Sequence, residues 1–183
     1  LGGGGFLLYR SKEGQSYFMD FREVAPSAAH SKMYLDNDGK PNPSASRQGW
    51  KAVGVPGSVV GMAEAHRRWG RLSWEQVLAP AIWLAEDGFL ISSGEAKGLA
   101  RSAKQISRDS MAASVFLQAN GQAWPQGHRL KQSELAATLR LLAKNGESVF
   151  RSGPIVEGIL AASEAGGGIL QANDFRDYQP AFR

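Results

Sequence analysis

The chain has 183 residues, 43% of them apolar, with 21 basic and 17 acidic side chains and a net charge of +4. That length suits one domain or one large piece of a bigger protein, with enough apolar material for a sizeable core. Absent cysteine excludes a disulfide framework, a thiolate metal site and a thiol nucleophile, no stretch approaches the ~20 apolar residues of a membrane span, and the scattered basic residues lack the pattern of a nucleic-acid surface.

The chain starts at Leu1 rather than Met and opens on Gly2-Gly3-Gly4-Gly5, which reads as part of a longer protein. These glycines precede a strand, whereas a dinucleotide fingerprint follows one and opens a helix. Their expected task is to let backbone pass close to a neighbouring strand or a ligand. Phe6-Leu7-Leu8-Tyr9-Arg10 and Ser16-Tyr17-Phe18-Met19-Asp20-Phe21 read as two strands joined across Ser11-Lys12-Glu13-Gly14. Arg22 and Glu23 follow directly, before Ala25-Pro26. Arg22 is the candidate ligand-contacting residue, a planar fork at a rigid strand end that can hold a carboxylate through two hydrogen bonds. Also open from the residues alone is an ordinary ion pair with Glu23, Asp20 or another nearby carboxylate, since such structural pairs are common.

Ala25 to Tyr34 reads as a turn into a short helix. Asp36-Asn37-Asp38-Gly39 resembles the start of a calcium loop but lacks its later ligands, and reads as a turn. Gly39 to Gly49 is loop-like, and Trp50 to Val55 has strand-like content. Pro56-Gly57-Ser58 suits a helix entry capped by Ser58, with Val59, Met62, Ala63, His66 and Trp69 on one face and Gly70 as the stop. Ser73 and Gln76 form a capping box ahead of a stripe of Trp74, Val77, Leu78, Ala81, Ile82 and Ala85, ended by Gly88. Pro80 should kink that helix or disturb one turn.

From Ile91 to Ala113 the pattern weakens to one or two short helices, and Val115-Phe116-Leu117 reads as extended. Ser133 opens a helix carrying Leu135, Ala136, Leu139, Leu142 and Ala143. Another begins at Pro154, with Ile155, Ile159 and Ala162 inward. Asn173 is placed to cap a last short turn. His30, His66 and His128 have no metal-ligand spacing, and neither a nucleophile elbow nor a phosphate loop occurs. The residues therefore give an α+β chain, mostly helical with a short antiparallel hairpin, and no complete catalytic apparatus.

Several segments, taken in order, carry a resemblance: Gly2 to Phe6, Asp20-Phe21-Arg22-Glu23 with Ala25-Pro26, Gly54 to Gly61, Leu78 to Ile82 with Leu84 to Phe89, Leu135 to Leu139, Gly167 to Leu170, and Asp174-Phe175 before Tyr178. Together they resemble the large-subunit portion of the γ-glutamyltranspeptidase family. The resemblance implies residues 1–183 as a single piece of that domain, part of a four-layer αββα N-terminal nucleophile hydrolase fold. The family's N-terminal region and catalytic small subunit are missing from it. It implies a precursor that cuts itself, and a small-subunit threonine that attacks a γ-glutamyl amide and transfers the acyl group to water, an amino acid or a peptide. The partners implied are glutathione or another γ-glutamyl compound and the small subunit.

By motif match Arg22 becomes the substrate-binding arginine that holds the α-carboxylate. This chain then carries no catalytic residue, no metal and no cofactor, is inactive alone, and exposes apolar surface where further sheet belongs. A periplasmic or secreted location is implied through the family only. The alternatives are an acylase-type relative acting on a cephalosporin or a capsule polymer, and a non-catalytic binding module on the same scaffold.

Overall fold

The computed structural model describes residues 3–183, so Leu1 and Gly2 of the opening glycine segment lie outside the described residues. The chain forms two units, one of residues up to Arg71 with Asn145–Arg183, the other Leu72–Lys144.

In the first unit β1 (Phe6–Arg10) and β2 (Ser16–Asp20) pair antiparallel, from Phe6 opposite Asp20 to Arg10 opposite Ser16. Gly14, at φ 87°, closes the turn between them, where an L side chain would be strained. β5 (Ala181–Phe182), from the far end of the sequence, adds antiparallel to the other edge of β2. Side chains alternate across the hairpin. Leu7, Tyr9, Tyr17 and Met19 share the face against α1 (Ser58–Trp69), where Tyr9 stacks on Trp69 with ring centroids 4.6 Å apart. The opposite face shows Phe6 and Leu8, 55% and 76% exposed, with Phe6 stacked on Phe18. Exposed apolar surface is therefore present on this sheet.

α1 starts at Ser58, but its N-cap is Gly57 and no side chain caps it. The amides of Gly57 and Ser58 instead donate to the Gly3 carbonyl, so a backbone oxygen does the work expected of the Ser58 hydroxyl. Two further expectations in this unit are corrected. Ala25 to Tyr34 forms successive turns rather than a helix, because no apolar stripe exists there to pack one and Ser27 is tied by its amide to Asp174. Trp50–Ala52 is a short 3₁₀ turn, and only Val55 pairs, through one antiparallel bridge to Val24. Asp36 to Gly39 is a turn, its Asp36 carboxylate accepting from the amides of Asp38 and Lys40.

The core of the unit joins Val55, Val60, Val156, Leu170, Phe175 and Tyr178. α6 (Pro154–Ala165) has its proline at the first turn, yet it buries Val156 and Ser163 while Ala162 faces out. The helix is thus rotated by about one residue from the expected face, although Ile159 does pack on the core. α7 (Ala172–Asp177) is capped by Gln171 and Asp174, not Asn173.

In the second unit α2 (Trp74–Asp87) has the expected capping box, and Gly88 stops it at φ 81°. It runs through Pro80 without a break in the helix. Its covered stripe is narrower than expected, with Val77 and Ala81 exposed and Ala85 buried. The Trp74 indole donates to the Leu142 carbonyl of α5 (Ser133–Asn145), joining the first and last helices of the unit. Between them lie α3 (Ser93–Ile106), α4 (Ser110–Phe116), and the two-residue strands β3 (Phe89–Leu90) and β4 (Arg129–Leu130), which pair antiparallel. α3 is a full 14-residue helix opened by a Ser92–Glu95 capping box. α4 takes in Val115 and Phe116, read from sequence as extended, because Asp109 caps it through the Ala112 amide. The chain is thus mixed helix and antiparallel sheet, of α+β class.

Candidate functional site

Arg22 lies two residues past the end of β2, and the ladder continues under it. The Phe21 amide donates to the Gly5 carbonyl at 2.9 Å and the Gly5 amide returns to Phe21 at 3.4 Å. Phe21 turns its ring inward onto Gly61 of α1, where an added Cβ would come within 2.2 Å of the ring. A Cβ on Gly4 would fall 2.4 Å from the Arg22 Cα. Part of the opening glycine segment therefore does let backbone pass close, and what it passes is the arginine itself.

Both peptide groups of Arg22 are held. Its amide donates to Asp20 Oδ1 at 3.1 Å, and its carbonyl accepts the Tyr178 hydroxyl at 2.8 Å. Its guanidinium donates through Nη2 to Glu23 Oε1 at 2.8 Å and lies over the Phe6 ring, with Cζ 5.7 Å from the centroid. The arginine side chain is still 56% exposed. The hydrogen bond from Arg22 holds the Glu23 carboxyl below the usual glutamate range, and the same pairing raises Arg22. Asp20 carries its other oxygen to Arg183 Nη2 at 3.0 Å, so the site is two cations set among two carboxylates.

Of the two readings open in the sequence, the ion pair with Glu23 is present, while Asp20 takes the backbone of Arg22 rather than its side chain. The pair does not exhaust the fork. Among the described residues only Nη2 has a hydrogen-bond partner, and on this exposed side chain the remaining N–H groups can hold a planar anion such as a carboxylate.

Tyr178 was not singled out as part of the site by sequence reasoning. It is buried, and burial pushes its hydroxyl above the ordinary tyrosine range, with smaller contributions from Asp20 and Glu23. No spacing rule connects positions 156 residues apart. The histidines do not join the site: His30 lies in a turn, His66 in the last turn of α1, and His128 stacks flat on Trp124 at 3.8 Å. No cluster of His, Asp and Glu able to hold a metal occurs among the described residues. A concavity of about 560 Å³ in the second unit, lined by residues including Trp124, His128, Arg129 and Lys131, contains neither Arg22 nor its partners.

Fold and site together define an α+β protein that presents a half-paired arginine at the end of an antiparallel hairpin. The whole chain, residues 1–183, matches the family model described as gamma-glutamyltranspeptidase, and it belongs to that family. It is 40% identical over 179 residues to the glutathione hydrolase proenzyme of Pseudomonas sp. (strain A14), covering 98% of this chain and 31% of that protein. With the glutathione hydrolase proenzyme of Escherichia coli (strain K12) it shares 34% over 183 residues, 100% of this chain and 32% of the relative. The crystal structure of Helicobacter pylori gamma-glutamyltranspeptidase superposes with a TM-score of 0.95 at 33% identity, over 100% of this chain and 52% of that one. The chain thus spans about a third of the length of these curated relatives.

Proposed function

We propose that this chain is the substrate-gripping segment of a γ-glutamyltranspeptidase large subunit, and that Arg22 holds the α-carboxylate of the γ-glutamyl donor. The observation that carries the reading is the half-used guanidinium. It is fixed through its backbone, paired on one nitrogen with Glu23, and open on the rest. With the backbone already held, only the side-chain torsions are left to order when the unpaired N–H groups take a carboxylate, which limits the cost of binding.

The complete protein then cleaves the γ-glutamyl amide of glutathione or a similar donor and passes the acyl group to water, an amino acid or a peptide. The nucleophile in this reading is the N-terminal threonine of a small subunit cut from the same precursor, whose own terminal amine serves as its base. The exposed Phe6–Leu8 face of the hairpin supports placing this segment within a four-layer αββα fold, since an uncovered apolar sheet face is what a second sheet covers. Residues 1–183 are one piece of that domain, and the location proposed through the family is the periplasm or the cell exterior.

The test is turnover of γ-glutamyl-p-nitroanilide by the full-length precursor, with a denaturing gel beside it. Two bands with turnover are expected. An uncleaved, inactive precursor would replace this reading with a binding module on the same scaffold.

A further inference from the structure

We infer that Tyr178 is a positioning residue for Arg22, holding the arginine's carbonyl so that its side chain leaves the backbone in a fixed direction toward the donor carboxylate. The inference rests on the reading of Arg22 as the carboxylate-holding residue. Three observations carry it. The first is that the Tyr178 hydroxyl leaves the core and donates to the Arg22 carbonyl at 2.8 Å, while Asp20 takes the amide on the other side of the same residue at 3.1 Å. With its amide and its carbonyl both fixed, the Cα–Cβ direction of Arg22 is fixed too, and only side-chain torsions remain free.

The second observation is that the space for this hydroxyl is kept clear. An added Cβ on Gly57, just before α1, would lie 2.2 Å from the Tyr178 hydroxyl oxygen and 2.2 Å from the Phe21 carbonyl. No other residue type fits between them. The third is that Tyr178 is itself anchored from outside the site. Its carbonyl and that of Arg176 accept from Nη1 of Arg151 at 3.0 and 3.1 Å, and Arg151 is held in turn by Glu147 at 3.3 Å. A tyrosine needed only for packing would use its ring, which sits with Val55, Val60 and Phe175. Here the oxygen reaches past the core to one carbonyl, that of the arginine.

Tyr178→Phe separates the two roles, because it keeps the ring in the core and removes only the O–H. In the full-length precursor the variant should raise KM for γ-glutamyl-p-nitroanilide about three- to tenfold, the scale of one neutral hydrogen bond. Its kcat should stay within about twofold, since the effect falls on donor binding. In an Arg22→Ala background the same substitution should add nothing, because the residue through which it acts is gone. An unchanged KM for Tyr178→Phe in the native background overturns the inference. So does an equal rise in KM in both backgrounds, which is what a general packing defect gives. If Arg22→Ala itself leaves KM unchanged, the carboxylate-holding reading fails and this one with it. A shift with Arg22→Ala and none with Tyr178→Phe removes the positioning role alone.

Discussion

At the scale of the residue, Arg22 combines a fixed backbone with a guanidinium whose fork is half used. In the complete enzyme Arg22→Ala should raise donor KM about 10- to 100-fold, the range for a hydrogen-bonded charged pair. Arg22→Lys should recover only part of this, because an ammonium gives a point charge without the fork. Steady-state kinetics on a γ-glutamyl donor decides it, and native KM in both variants would remove Arg22 from the site. Gly4 is the second residue-scale case, since its missing side chain is what admits the arginine's Cα. Gly4→Ala must push two backbone segments apart and should destabilise the fold by about 1–3 kcal/mol, as overpacking does, visible in thermal melts. Arg22 was legible in the sequence, because a charged residue directly after an alternating apolar run marks a strand end. Its partner Tyr178 was not, because a contact across 156 residues leaves no local pattern.

At the scale of the element, the best-read features are those made by neighbours in sequence. The Ser73–Gln76 capping box forms as expected, the Ser73 hydroxyl accepting the Gln76 amide at 3.2 Å and Gln76 Oε1 accepting the Ser73 amide at 2.9 Å. Ser73→Ala should cost about 1 kcal/mol, a fall in melting temperature of about 2–4 °C at this chain length. The Ser92–Glu95 box is of the same kind, yet α3 was read as short. Its stripe of Ala96, Leu99, Ala103 and Ile106 does keep helical spacing, but two of the four are alanines, so the pattern is faint beside its polar residues. α6 shows the converse limit. Its start at Pro154 is local and was read correctly, whereas the face it buries depends on what it packs against. That face includes Ser163, 1% exposed, whose hydroxyl has no hydrogen-bond partner among the described residues. Ser163→Ala removes an unsatisfied buried oxygen and should leave stability unchanged or raise it by up to about 1 kcal/mol. A clear loss in a denaturant titration would mean that the hydroxyl is bonded after all.

At the scale of the whole molecule, Tyr178 ties remote segments of the first unit to one another, and this gives a pH signature. Its folded value lies above the ordinary tyrosine value, so the folded chain keeps the proton where the unfolded chain has released it. The contribution is complete below about pH 10, the unfolded value, and is lost as pH rises from there through the folded one. Melting temperatures should therefore fall more steeply above about pH 10 for the native chain than for Tyr178→Phe, and identical alkaline slopes would contradict the assignment.

The sequence by itself determined the hairpin, the starts of α2, α5 and α6, the α+β class, and the arginine at the strand end. Each of these is written in residues that touch their neighbours in the chain. Tertiary structure alone decided that β5 closes onto β2, that Ser27 binds Asp174 in a stretch expected to lead into a helix, and which face α6 buries. It also decided that Gly4 and Tyr178 converge on Arg22, with Gly57 leaving room for the tyrosine hydroxyl. The physical reason is the same in each case: these contacts are selected by packing and hydrogen-bond satisfaction between distant segments, and such selection exists only once the core has formed.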